Sequence, residues 1–199
     1  GNRGVDFEEL KWLQPGLSWS PDSKKIVFAA KAGKGDVLHV VEVETGKGKK
    51  YELDIEGVFS ASWSPLGNEI AYVGQSGNSS DIYIFDLNSQ ISKKITNDIF
   101  SDSYPTWSGD GKNIAFVSDR GNKISGEYDG FMHEHDYSQT DIYFVNVETK
   151  KIDRVTNTNH NESHPVWSKT SDNIFYTSDH NGVWNLYRHS ISGSEDSEP

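Results

Sequence analysis

The chain has 199 residues, of which 34% are hydrophobic and 12% aromatic, and this aromatic content excludes a disordered chain. Its formal net charge of −11 argues against a nucleic-acid partner, because an acidic surface repels phosphates. No apolar run reaches the roughly 18 residues of a membrane span. The absence of cysteine excludes disulfides, zinc–thiolate sites and Cys nucleophiles.

A Trp-Ser pair recurs four times along the chain. The first three tryptophans are 44 residues apart, and the last gap is 60 residues. An isoleucine follows each tryptophan by seven residues and an aromatic residue follows it by nine, with a polar turn before them. The tryptophans are Trp19, Trp63, Trp107 and Trp167. Such a regular period predicts a repeat architecture.

Each copy contains four short segments with the two-residue alternation of β-strands, which we label a, b, c and d. Strand a ends at the tryptophan and strand b carries the isoleucine. Strand c is clearest at residues 81–85 and 141–145, and strand d at residues 93–96. The pattern predicts an all-β fold, a β-propeller of four-stranded antiparallel blades. Because one blade cannot bury both of its faces, we expect the tryptophans to pack between blades.

The repeats predict one propeller domain over residues 1–191, followed by a polar acidic tail at residues 192–199. The predicted repeats are residues 16–58, 59–102, 103–162 and 163–191, with residues 4–9 in the register of a d strand. Residues 4–9 could complete the last blade and close a four-bladed ring. Alternatively, the four blades are part of a larger propeller of six or more blades. We favour the larger propeller, because four blades is the low end of the usual range.

The repeat resembles that of the TolB-type β-propeller over residues 16–191. Residues 19–24 read Trp-Ser-Pro-Asp-Ser-Lys, residues 114–120 read Ile-Ala-Phe-Val-Ser-Asp-Arg, and a proline lies two residues before Trp107 and Trp167. The resemblance implies a non-catalytic module that binds a protein or peptide in the bacterial cell envelope, either periplasmic or at the cell surface. Prolyl-oligopeptidase-like peptidases use similar repeats. The alternative is therefore a substrate-gating propeller segment whose catalytic domain is not in this chain.

No residue pattern predicts a catalytic site. A nucleophile elbow requires Gly-x-Ser-x-Gly between a strand and a helix, and the nearest strings, residues 16–20 and 74–77, do not fit. We therefore expect no catalytic residues.

The period is broken by 16 extra residues between strands b and c of the third copy, at about residues 121–139. In a propeller the b–c and d–a loops emerge on one face, which we call the loop face. Histidines, carboxylates and aromatic residues of these loops are the candidate binding residues, and exposed aromatic residues favour a protein contact. The candidates are Tyr128, Asp129, Phe131, His133, His135, Asp136, Tyr137, His160 and His164.

The same loop could hold a divalent cation, since imidazole and carboxylate together suit borderline cations. The metal candidates are His133, His135 and Asp136, and we expect no other cofactor. The alternative is a solvated polar loop without a specific ligand. Asp119 and Asp179 lie at matching positions after strand b, where we expect them to cap the b–c turns. If the chain is a segment of a larger propeller, its open edges need a partner, the rest of that propeller or a self-associated oligomer to cover them.

Overall fold

The computed structural model describes residues 16–32, 35–123 and 135–192. These residues form fifteen β-strands and a single-turn 3₁₀ helix, His180–Gly182. The strands belong to four antiparallel sheets, in each of which consecutive strands are neighbours. The predicted all-β propeller architecture is therefore confirmed. No helix among the described residues is long and apolar enough to cross a membrane.

The first two sheets are four-stranded and are called blades 1 and 2. Blade 1 consists of β1 (Ser18–Trp19), β2 (Lys25–Ala32), β3 (Gly35–Glu42) and β4 (Gly48–Glu52). Blade 2 consists of β5 (Gly57–Trp63), β6 (Glu69–Ser76), β7 (Ser79–Asp86) and β8 (Ser92–Lys94). In both blades the strands follow the predicted order a, b, c and d.

Blade 3 also has four strands, and blade 4 has three among the described residues. Blade 3 consists of β9 (Asp102–Trp107), β10 (Asn113–Ser118), β11 (Asp141–Asn146) and β12 (Ile152–Arg154). Blade 4 consists of β13 (Glu162–Trp167), β14 (Asn173–Ser178) and β15 (Asn185–Ser190). The predicted d-type strand at residues 4–9 lies outside the described residues, as does the tail from residue 193 onward.

The serine of the Trp-Ser pair holds the tight turn between strands a and b. In blade 3, Ser108 Oγ donates a hydrogen bond to Asp110 Oδ1 (2.7 Å) and accepts one from the backbone N–H of Asn113 (3.0 Å). Ser20 and Asp22 form the same hydroxyl-to-carboxylate bond in blade 1. Local polar bonds of this kind satisfy backbone groups that the turn leaves without a ladder partner.

The tryptophans of blades 2, 3 and 4 each pack against the blade before, as predicted. Trp63 contacts the core that includes Leu38 of blade 1, Trp107 the core that includes Ile82 of blade 2, and Trp167 the core that includes Ile142 of blade 3. The three tryptophans are only 7%, 5% and 7% exposed, and the three aliphatic residues are 0% exposed. Burial of this large apolar area stabilises each junction between blades.

Blades 1 and 4, at the two ends of the described structure, each leave one side of this contact exposed. Trp19 of blade 1 is 55% exposed, although it has the same place in its repeat as the buried tryptophans. Leu186 pairs with Thr177 in blade 4 as Ile142 pairs with Val117 in blade 3. Leu186 is therefore the counterpart of the buried Ile142. It is nevertheless 65% exposed. The described structure therefore leaves an uncovered tryptophan at one end and an uncovered aliphatic face at the other.

Candidate functional site

The described end of the inserted loop packs onto the d–a loop that precedes blade 3. His135 Nε2 lies 3.3 Å from Asp119 Oδ2, and only 6% of the His135 side chain is exposed. Its ring centroid lies 5.3 Å from that of Phe100 and 4.7 Å from that of Tyr137. In this structure the imidazole of His135 therefore anchors the loop and does not face solvent.

The next two residues of the insertion remain accessible. Asp136 Oδ1 accepts hydrogen bonds from the hydroxyl (2.6 Å) and the backbone N–H (3.0 Å) of Ser138. These two bonds lower the pKa of the Asp136 carboxyl below its ordinary value, so the side chain is an anion at neutral pH. Tyr137 is 59% exposed and offers a large amphipathic side chain to a partner.

Four of the candidate binding residues lie outside the described residues. They are Tyr128, Asp129, Phe131 and His133. Among the described parts of the chain, no group of three or more histidines and carboxylates is arranged to hold a metal ion. Because His133 belongs to the undescribed part of the loop, the cation site of His133, His135 and Asp136 stays a prediction.

His160 lies beside the inserted loop on the loop face, as the topology predicts. Gln139 Nε2 donates a hydrogen bond of 2.5 Å to the backbone carbonyl of His160, which ties the end of the insertion to the d–a loop before blade 4. The His160 ring lies perpendicular to that of His180, with centroids 4.6 Å apart. Its Nδ1 lies 3.9 Å from Asp179 Oδ1. This histidine pair and carboxylate form a polar rim next to the insertion.

Asp119 and Asp179, which we predicted to cap the b–c turns, each accept a backbone hydrogen bond from a d–a loop. Asp119 Oδ1 accepts a hydrogen bond of 2.9 Å from the backbone N–H of Ser101, and Asp179 Oδ1 accepts one of 2.8 Å from that of Asn161. Both donors belong to d–a loops. The d–a loop leads into strand a, which pairs with strand b, so a carboxylate at the end of strand b lies next to that loop.

His164 is not in the d–a loop, where the sequence placed it, but in strand β13. A β-bulge interrupts the pairing of β13 with β14 between Ser163 and Val166, and His164 has a φ of +52°. Tyr104 and Ser60 have φ values of +52° and +40° at the same position, three residues before the tryptophan. The bulge adds a residue to strand a and turns its side chain away from the usual alternation. The rings of His164 and Tyr104 therefore meet, with centroids 4.5 Å apart.

These bulged residues line a central cavity of about 320 Å³ between the innermost strands of all four blades. The cavity is lined by Leu17, Ser18, residues 60–62, residues 104–106 and residues 164–166. The sequence reasoning missed this set. The residues three places before each tryptophan could have identified this set, because the alternation of buried residues in strand a does not explain them.

A second cavity of about 840 Å³ lies between blades 2 and 3 and shares Ser60 and Tyr104 with the central cavity. Hydroxyl and amide side chains dominate its lining. The lining residues are Phe59, Ser60, Val73, Gln75, Asn78, Ser79, Ser80, Ser101, Asp102, Ser103 and Tyr104. Asn78 is in the b–c turn of blade 2 and Ser101 is in a d–a loop, so this cleft opens on the loop face.

A buried ion-pair cluster adjoins the cleft through Asp102, which also lines it. Arg120 Nη2 lies 2.6 Å from Asp102 Oδ1 and Nη1 lies 2.8 Å from Asp98 Oδ2. The guanidinium carbon lies 5.3 Å from the ring centroid of Phe116 and 5.6 Å from that of Tyr143. Burial raises the pKa of Asp102 to about 6, although the charge of Arg120 opposes the shift. The cluster joins the d–a loop to the end of strand b.

Several solved propellers share this fold. TolB from Acinetobacter baumannii is 21% identical, with a TM-score of 0.71, over 91% of this chain and 42% of that chain. A putative TolB from Agrobacterium tumefaciens is 19% identical, with a TM-score of 0.75, over 92% of this chain and 63% of that chain. A puromycin-hydrolyzing peptidase from Mycobacterium tuberculosis is 16% identical, with a TM-score of 0.62, over 87% of this chain and 28% of that chain. The chain thus spans less than two thirds of the length of each.

No curated protein sequence is significantly similar to the chain. The sequence profile of the TolB beta propeller domain matches residues 11–125, which is more than half of this chain. This match agrees with the blade structure and with the repeat of Trp-Ser pairs. The chain belongs to the TolB beta propeller domain family.

Proposed function

We propose that the chain is a non-catalytic propeller scaffold that binds a protein or peptide partner through its loop face, in the bacterial cell envelope. The observation that carries the proposal is the cleft between blades 2 and 3, whose serine, asparagine and glutamine side chains can bond to a peptide backbone. Tyr104 inside the cleft and the exposed Tyr137 in the inserted loop supply aromatic contact area. The similarity to TolB supports the envelope location.

Site-specific photo-cross-linking in the parent cell tests this contact. A benzophenone amino acid would replace Tyr137 on the loop face or Tyr104 in the cleft that opens on that face. The matched control is Leu66, which is 66% exposed in the a–b turn of blade 2, on the opposite face. We expect one discrete protein adduct from the loop-face positions and none from Leu66. Equal adducts from all three positions, or none from the loop face, would contradict the proposal.

The second candidate function is a propeller segment that gates substrate access to a serine peptidase domain encoded elsewhere. The observation that favours it is the central cavity between the four innermost strands, together with the likeness in fold to the M. tuberculosis peptidase. The sequence of the full-length parent protein decides between the two. A Gly-x-Ser-x-Gly elbow in an α/β-hydrolase domain would favour gating, and its absence would favour the binding scaffold.

We further propose that blades of the same repeat type cover the two open ends. The three internal junctions support this, because in each of them a tryptophan covers the face of a blade that corresponds to the exposed face of Leu186 in blade 4. Exposed apolar faces promote association. We therefore expect light scattering to show concentration-dependent association of the 199-residue chain.

The variant Leu186→Glu should shift that association toward the monomer, because it places a charge on the uncovered face. Leu66→Glu is the control, since Leu66 is equally exposed but lies in a turn. A chain that stays monomeric at high concentration would show that the open ends need no cover.

A further inference from the structure

The cleft between blades 2 and 3 has a counterpart at the junction of blades 3 and 4. The strand a residues of the second junction lie 60 residues after those of the first, as Trp107 and Trp167 show. The strand c residues keep the same offset, because Phe85 and Val145 pair with the equivalent isoleucines of strand b. Each polar group of the cleft can therefore be compared with the group at the same place in the next junction.

The start of strand c faces the next strand a in the same way at both junctions. Ser80 Oγ donates a hydrogen bond of 2.9 Å to the backbone carbonyl of Asp102. Thr140 Oγ1 donates the same bond, of 3.1 Å, to the backbone carbonyl of Glu162. These hydroxyls belong to residues 60 apart, and so do the carbonyls that accept from them.

The d–a loops correspond as well. The backbone N–H of Ser101 bonds to Asp119 as that of Asn161 bonds to Asp179. Ser101 and Asn161 therefore hold the same place in their loops and differ in the side chain that they present to strand c.

At the junction of blades 3 and 4, a carboxamide bonds to the start of strand c. The backbone N–H of Ile142 points away from strand b, because it donates a hydrogen bond of 2.9 Å to Thr156 Oγ1. Backbone groups of residues two apart in a strand point the same way, so the N–H of Thr140 also points away from strand b. Its acceptor is Asn161 Oδ1, at 3.1 Å.

At the cleft between blades 2 and 3, the described residues do not supply this carboxamide. The backbone N–H of Ile82 donates a hydrogen bond of 2.9 Å to Thr96 Oγ1, so the N–H of Ser80 also points away from strand b. The residue opposite is Ser101, whose side chain is shorter than a carboxamide and whose hydroxyl forms no hydrogen bond with the described residues. Both serines line the open cleft. The place of the carboxamide is therefore accessible to a ligand.

The charges around the cleft favour a neutral ligand group. Its described lining contains no lysine, arginine or histidine, so a ligand carboxylate would lack a counterion in a protein of net charge −11. The carboxylate of the lining, Asp102, is already paired with Arg120 and is not available to a ligand cation. Serine hydroxyls both donate and accept hydrogen bonds, and a carboxamide has an acceptor oxygen and a donor NH2 group. A carboxamide therefore matches this lining.

We propose that the cleft between blades 2 and 3 recognises an asparagine or glutamine side chain of the peptide partner. Its amide oxygen accepts the hydrogen bond of the Ser80 N–H, as Asn161 Oδ1 does for Thr140. Its NH2 group donates to the hydroxyls of Ser79 and Ser101. The inference rests on the proposed function, because it takes this cleft as the peptide site.

Titration of the ¹⁵N-labelled chain with capped tripeptides tests the ligand class by NMR. The probe is acetyl-Gly-Asn-Gly-amide. One control carries leucine, which has a similar shape without the polar groups, and the other carries aspartate, which adds a charge. We expect a Kd on the order of 1 mM for the probe, with the largest shifts at Ser80 and Ser101, and binding about fivefold weaker for both controls. Equal binding of the three peptides, or shifts confined to other blades, would overturn the proposal.

The variant Ser101→Asn supplies the carboxamide from the chain itself. Hydrogen exchange of the Ser80 N–H should slow by about tenfold, and the probe should bind about fivefold more weakly. Ser23→Asn is the matched control, because Ser23 is exposed in the a–b turn of blade 1 and has a φ of +57°, which asparagine tolerates. If the Ser80 N–H exchanges equally slowly in the unmodified chain, it already has an acceptor and the proposal is wrong.

The cross-linking experiment separates this inference from the proposed function. The adduct formed at Tyr137 should decrease in Ser101→Asn and stay unchanged in Ser23→Asn. If Ser101→Asn keeps the full adduct, the carboxamide site is wrong while the protein contact stands. If no chain gives an adduct, the proposed function fails, and the tripeptide titration by itself supports or overturns the carboxamide site.

Discussion

Arg120 Nη2 lies 2.6 Å from Asp102 Oδ1, and both side chains are 0% exposed. Asp102 begins strand a of blade 3 and Arg120 follows strand b. The pair therefore connects the start of strand a to the end of strand b, at the point on the loop face where the insertion starts. At the place of Arg120, blade 2 has Ser76 and blade 4 has His180. Blade 2 has Val58 and blade 4 has Glu162 at the place of Asp102, so the repeat keeps the backbone while both members of this ion pair vary from blade to blade.

Replacement of Arg120 by methionine should destabilise the chain by about 3–5 kcal/mol, because it leaves the buried Asp98 and Asp102 without their cation. Urea unfolding followed by fluorescence measures the change. Lys151→Met is the control, since its pair with Asp153 is largely exposed and such pairs contribute little. A similar small loss for both variants would mean that the buried cluster does not hold the junction.

Trp107→Ala should cost about 3–5 kcal/mol, because it removes a ring that fills the junction of blades 2 and 3. It also removes the hydrogen bond of 3.1 Å from Nε1 to the carbonyl of Ser62. Trp19→Ala should cost far less in the 199-residue chain, since Trp19 is 55% exposed. Denaturant midpoints compare the two variants directly. Equal losses would show that Trp19 is covered in solution.

The free energy of unfolding should fall as the pH drops below about 6.5, in part because of His39. Burial, with a smaller effect of Lys50, lowers the pKa of His39 in the folded state from 6.5. The unfolded chain therefore takes up a proton at a higher pH than the folded chain, and acid favours unfolding. His39→Phe removes this titration and keeps the edge-on contact with Phe28. Urea unfolding between about pH 7.5 and pH 5 should show a shallower decline for the variant, and identical slopes would contradict this.

Gly109→Ala should destabilise the chain by about 1–3 kcal/mol through a clash between blades 3 and 4. A Cβ at Gly109 would lie 2.4 Å from the backbone carbonyl oxygen of Lys169, which is too close for any real contact. Gly35→Ala is the matched control, because nothing lies within 4 Å of its added Cβ. Thermal melts of the two variants should differ, and coincident melts would show that the turns of blades 3 and 4 separate easily.

The repeat unit could be predicted from sequence because its signals are local. The Trp-Ser pair, the turn residues after it and the alternation of strands b and c each depend on neighbours within a few residues. The observed strands β6 and β7, for example, form the antiparallel pair of strands b and c that this pattern predicts. The same reasoning placed His164 in a loop, because a β-bulge with positive φ leaves no distinct mark in a non-glycine sequence.

The candidate site was predicted less completely, since its residues come from different repeats. His160 and the insertion do lie together, through the bond from Gln139. The burial of His135 against Phe100 could not be predicted, because the two residues are far apart in sequence and meet only across the loop face.

The sequence by itself determined the blade, its strand order and the face on which the insertion emerges, because these follow from short-range periodicity and from propeller topology. Only the tertiary structure decided which polar groups are enclosed and which face solvent. Asp98 and Asp54 occupy the same place in the repeat, yet one is buried under a guanidinium and the other borders an open groove. The physical reason is that burial of a charge depends on a partner from another strand, and here the side chain of Arg120 supplies that partner for Asp98.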